Sequence, residues 1–115
     1  MKLNFKNIAF ILLSIFMNTN SFATEQCSGT VKKIAISSSG EVRLITSFRE
    51  NYFTICSLHG SWKDISDSTC KAWLSEAHLA YASENDIRIF FPDGTDCTKF
   101  MAYQDAPKAS WIILD

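Results

Sequence analysis

The sequence predicts a small, mainly β domain with a single helix, held by two disulfides and preceded by an export signal. Three observations carry that expectation. The chain opens on a short apolar leader, its four cysteines all fall after that leader, and β-prone runs are interrupted once by an amphipathic helical stretch.

The leader begins with Lys2 and Lys6, continues through the largely apolar run Ile8 to Met17 (IAFILLSIFM), and turns polar at Asn18. Ser21-Phe22-Ala23 then sets small residues at −3 and −1 of a cleavage point, completing the layout of a secretory signal over residues 1–23. A bilayer-crossing helix needs ~20 apolar residues, about twice this run. No second run of that length follows, so residues 24–115 are expected to form one secreted or periplasmic domain that does not span a membrane. That domain keeps nine basic against twelve acidic side chains, a formal charge of −3. A nucleic-acid binder would need a clustered positive surface, and none is expected.

Cys27, Cys56, Cys70 and Cys97 are an even set in an exported domain, where a small core gains from covalent staples. They have no CxxC spacing and no ligand-like arrangement with His59 or His78, so neither metal nor cofactor is expected. Four cysteines allow three connectivities, and the count alone selects none of them.

Thr30 to Ile36 (TVKKIAI) is β-prone, with an alternation that slips at Lys32-Lys33 as a bulge would make it do. Ser37 to Gly40 is a turn cluster, and Glu41 to Ser47 resumes as the second strand of a hairpin. After the break at Arg49-Glu50-Asn51, Tyr52 to Leu58 is a third strand of aromatic and branched residues. A polar loop, His59 to Ser66, leads into the helix, for which Asp67 or Ser68 is the expected cap. Cys70, Trp73, Leu74, Ala77, Ala80 and Tyr81 share one helical face, and Asn85 ends the run. Ile87 to Phe91 is a fourth strand, stopped by Pro92-Asp93-Gly94. Phe100 to Tyr103 and Ser110 to Leu114 are short strand candidates near the end.

The order β-β-β-α-β-β is that of a five-stranded OB-fold barrel. In such a barrel the first strand pairs antiparallel with the fourth, bringing Cys27 to Cys97. The helix following the third strand likewise brings Cys56 to Cys70. These are the expected disulfides.

Several pieces of the chain resemble the binding subunits of AB5 toxins of the subtilase-cytotoxin and typhoid-toxin type. Tyr81 to Phe91 (YASENDIRIFF) is similar to their helix-to-strand segment, which ends in a Val-Arg-Ile-aromatic strand. Ser28-Gly29-Thr30-Val31 resembles their Ser-Gly-Val-Val opening, and Tyr52-Phe53 ahead of Cys56 resembles their Tyr-Phe-Cys strand. The cholera-type subunit is more distant but has the same helix-then-strand order. The resemblance implies a homopentamer that binds cell-surface glycans, often sialylated, and carries a separate catalytic A subunit. It also implies a sugar pocket using a serine at the start of the first strand and a tyrosine in the strand after the helix. Ser28 matches the serine. Phe91 stands where the tyrosine would be, keeping a stacking surface but losing a hydrogen bond worth about 0.5–1.5 kcal/mol.

Trp62, set in a polar loop, is a third candidate contact for a glycan or a protein. Arg88, opposite in phase to Ile87 and Ile89, is expected to face outward, solvated or against another subunit. An enzyme is not expected. Ser57 and His59 are too close in sequence to act as nucleophile and base, no acid is placed to orient either histidine, and no phosphate loop or metal motif is present. The alternative to a glycan-binding subunit is a monomeric secreted or periplasmic protein-interaction module, of inhibitor or immunity type.

Overall fold

The computed structural model describes residues 24–115; the leader and its expected cleavage point at Ala23 lie outside them. Among the described residues five strands form one antiparallel sheet in the order β3-β2-β1-β4-β5, accompanied by one helix. The strands are β1 (Glu25–Ile36), β2 (Glu41–Thr46), β3 (Phe53–Ser57), β4 (Asp86–Phe91) and β5 (Trp111–Leu114), and α1 spans Asp67–Ser83.

The central strand β1 begins earlier than the β-prone run at Thr30. Its first half, Glu25 to Thr30, pairs with β4, and its second half, from Val31, pairs with β2. The register slips between Val31 and Lys33, at the place where the sequence alternation breaks. An extra residue there bends and twists the strand, so the two halves of β1 serve different neighbours. Gly29 lies beside this changeover. A Cβ on it would stand 2.1 Å from Ser47 Oγ and 3.1 Å from Phe48 Cδ1. Only a glycine lets the end of β2 cross so closely, and Ser47 Oγ uses the approach to accept the Thr30 N–H at 3.0 Å.

The bend brings the inner faces of the two halves together. Phe53 on β3 meets Phe91 on β4 at 6.3 Å between centroids and Phe100 at 5.0 Å, both edge-on. Val42, Leu44, Ile55, Ile87 and Ile89 complete this layer. The expected closure into a barrel is not present: β3 and β5 are the two sheet edges and do not pair with each other. The segment Phe100 to Tyr103, expected as a strand, makes a single parallel bridge, Phe53 to Tyr103. Tyr103 adopts φ of +56°, a left-handed conformation that turns the chain off an extended path after one bridge.

The helix is capped by Ser66, one residue before Asp67, the earlier of the two expected caps. Ser66, in extended conformation, accepts the Thr69 N–H at 3.2 Å, satisfying a first-turn donor. It ends at Glu84 in the left-handed region rather than at Asn85. Its buried residues are the small Cys70, Ala77 and Ala80, which let its backbone approach the sheet, with Trp73 and Leu74 half-buried beside them. Tyr81, expected on that face, is 55% exposed. It lines a cleft against β1 instead of entering the core.

Two disulfides tie these pieces. Cys27 on β1 bonds to Cys97, and Cys56 on β3 bonds to Cys70 on α1, with Cα separations of 5.6 and 5.4 Å. The turn carrying Cys97 is set by Asp96, whose Oδ1 accepts the Thr98 N–H at 2.9 Å and the Thr98 hydroxyl at 2.8 Å. No described helix is long and apolar enough to cross a membrane.

Candidate functional site

Strand alternation decides which side chains can meet a ligand. Along β1, Cys27 and Gly29 point inward while Gln26 and Ser28 are exposed. Along β4, Ile87, Ile89 and Phe91 point inward, leaving Arg88 and Phe90 on the outer side. Along β5, Ile112 is buried, whereas Trp111 is 66% and Ile113 37% exposed.

The register sets these outward residues in rows. Ser28 lies opposite Arg88, and Arg88 opposite Ile113; in the next row, Gln26 lies opposite Phe90, and Phe90 opposite Trp111. Directly opposed side chains of one face have Cβ atoms about 5 Å apart. The outer face of β1, β4 and β5 is therefore an aromatic platform of Phe90 and Trp111 beside a polar row containing Ser28 and Arg88.

Arg88 is held in place on this face. Its Nη2 donates to Asp115 Oδ1 at 2.6 Å and its Nε to Oδ2 at 3.2 Å, a two-point fork. The hydrogen bonds and charge of Asp115 raise the guanidinium's pKa above its ordinary value. A fixed guanidinium–carboxylate pair presents planar donors and acceptors beside a flat ring. Such a set can hydrogen-bond sugar hydroxyls while the ring receives the C–H face of a pyranose.

The three residues singled out from sequence are distributed differently. Ser28 is exposed on the platform face. Phe91 is not: at 1% exposure its ring packs on Phe53 and Phe100, so it belongs to the core and offers no surface to a sugar. The i, i+2 phase that buries Ile87 and Ile89 buries Phe91 with them, and the outward aromatic of that strand is Phe90. Trp62 lies in the β3–α1 loop, outside this face. Lys63 and Asp64 both take positive φ, and Trp62 and Ile65 exchange backbone hydrogen bonds of 3.0 and 2.9 Å across them. Trp62 is half-buried against the core, and the Lys63 ammonium sits 4.9 Å from its ring centroid while donating to the Ala106 carbonyl.

Phe90, Trp111 and Asp115 are not among the site residues singled out from sequence. The alternation in IRIFF and WIIL was the available signal, since it places Arg88 with Phe90 and Trp111 with Ile113. Ser57 Oγ accepts the His59 backbone N–H at 3.2 Å, and the His59 ring lies against Gly40. Among the described residues no group of three or more His, Cys, Asp or Glu side chains is placed to hold a metal ion.

Comparison with protein families, curated proteins and solved structures finds no match to this chain.

Proposed function

We propose that this chain is an exported, non-enzymatic binding protein that recognises cell-surface glycans as a homo-oligomer, in the manner of AB5 toxin binding subunits. The observation that carries the reading is the platform: Trp111, two-thirds exposed on the outer sheet face, aligned with Phe90 and beside the row of Ser28 and the Arg88–Asp115 fork. Export is supported by the two disulfides and by the leader, since such bonds persist in oxidising compartments. The OB-like reading of the fold is supported by a bent β1 shared between two sheet halves and by a helix between β3 and β4.

A ring is supported by the β5 edge, which pairs with β4 on one side only; the β3 edge is already bridged by Tyr103 and its residues are buried. Joining the β5 edge of one copy to a different surface of the next is a head-to-tail contact, which closes into a ring when the rotation allows. Five weak sugar sites on one ring would raise avidity well above single-site affinity. A separate catalytic A subunit would then be the cargo.

The test is native mass of the exported protein together with glycan-array binding, repeated with Trp111→Ala. The expected result is a pentamer whose glycan signal falls at least tenfold in the variant. A monomer with no glycan signal overturns the proposal and turns attention to a protein partner for the exposed Trp111 and Ile113.

A further inference from the structure

A second cleft, of about 590 Å³, lies between the second half of β1 and the last turns of α1, and shares no residue with the platform. Its walls are Lys33 and Ile34 from β1, Tyr52 from the segment before β3, and His78, Tyr81 and Ala82 from the helix. The volume is in the range that holds a small molecule.

Its polar groups are uncommitted. Of the described cations, Lys32 pairs with Glu50, Arg43 with Glu41 and Arg88 with Asp115, and Arg49 and Lys63 donate to the Phe100 and Ala106 carbonyls. Lys33 shares with Lys71, Lys99 and Lys108 the lack of such a partner and is the one of these four that lines this cleft. Among the described residues, Lys33, Tyr52, His78 and Tyr81 have no such side-chain partner, yet all four line one cleft. The bulge contributes to this. The register slip leaves Lys32 as the extra residue and resumes the ladder at Lys33, opposite Ile45, with the Lys33 side chain exposed. The small Ala82 leaves room beside the ring of Tyr81, and Ile34 supplies an apolar patch.

We infer that this cleft is a second ligand site, and that it takes a small ring-bearing carboxylate. The ring packs on Ile34 and Ala82 among the faces of Tyr52 and Tyr81, and the carboxylate meets the Lys33 ammonium. Hydroxyls of the two tyrosines and the His78 imidazole serve the remaining polar edge. Sugar acids and aromatic acids share this chemistry, and the experiment separates them.

The exported protein, made from the full chain with its disulfides formed and isotopically labelled, is titrated with glucuronate and with phenylacetate while amide resonances are followed. Glucose and phenylacetamide are the neutral controls. The expected result is saturable movement centred on Lys33, Tyr52, His78 and Tyr81 with an acid and not with its neutral counterpart. Response to glucuronate alone assigns a sugar acid, and response to phenylacetate alone an aromatic acid. Lys33→Gln, at an exposed position, should weaken binding about tenfold without changing the thermal midpoint, as loss of one charge-assisted bond does. Tyr81→Ala should weaken it as well. No saturable response to either acid, an equal response to the neutral controls, or binding unaltered by both substitutions overturns the inference. Movement at Ser28 and Trp111 reports on the platform instead, so the two sites succeed or fail separately.

Discussion

Phe90 and Phe91 are neighbours in sequence and occupy opposite sides of the sheet. Phe91 is packed on Phe53 and Phe100, and Phe90 lies outward, opposite Trp111. One residue of register therefore separates a core group from a recognition group, and substitutions at the two positions should differ in kind.

Phe91→Ala should cost about 3–5 kcal/mol of stability, the range for truncating a fully buried aromatic. Phe91→Tyr places a hydroxyl among apolar rings and should cost about 1–3 kcal/mol through its lost solvation. It would bring no gain in glycan affinity. Trp111→Ala should leave the unfolding midpoint nearly unchanged while removing glycan binding. Chemical denaturation beside a glycan array separates the two classes, and a Phe91→Tyr variant that bound sugar more tightly would contradict the assignment of faces.

Gly29→Ala should destabilise by about 1–3 kcal/mol, because the added methyl drives Ser47 and Phe48 away and breaks the Ser47–Thr30 hydrogen bond. Amide exchange should accelerate first at Thr30. A variant as stable as the parent would mean that the loop after β2 moves aside freely.

Removing the Cys27–Cys97 bridge should cost more than removing Cys56–Cys70. The sequence separations are 70 and 14 residues, and loop-closure entropy favours the longer by about 1.4 kcal/mol. Urea midpoints of the two serine double variants test the order. Equal shifts would show that local packing around Cys56 and Cys70 outweighs chain entropy.

Asp96 contributes a pH dependence of definite sign. The Thr98 N–H and hydroxyl hold its carboxyl below the usual carboxylate range. A depressed folded pKa stabilises above the unfolded pKa, and the contribution is lost as pH falls through the folded value. Asp96→Ala should therefore be less stable than the parent at neutral pH and converge with it in strong acid. A constant difference across that range would remove the carboxylate from the account.

Ser66→Ala should cost about 1 kcal/mol, as the Thr69 N–H loses its acceptor. The same change at Ser68 should have little effect on helix content, which circular dichroism can compare directly.

The sequence alone was sufficient for the order of elements among the described residues, the helix between the third and fourth strands, the bulge beside Lys33 and the even set of cysteines. All of these rest on local periodicity or on the chain order of strands, which need no knowledge of distant contacts. The burial of Phe91 was legible too, because it shares the phase of Ile87 and Ile89; the resemblance to a family pocket pointed the other way.

Other features depended on the tertiary structure. That the sheet stays open, with β3 and β5 apart, is visible only in the strand pairing, and the left-handed Tyr103 leaves one bridge where a strand was expected, with nothing in its neighbourhood to mark that conformation. The platform needed the pairing of β4 with β5 to set Trp111 beside Phe90. The second cleft needed β1 and the end of α1 to face each other, exposing Tyr81 despite its place on the apolar stripe. Periodicity tells a side chain which face of its own element it occupies; only packing decides whether that face meets the core, a cleft or water.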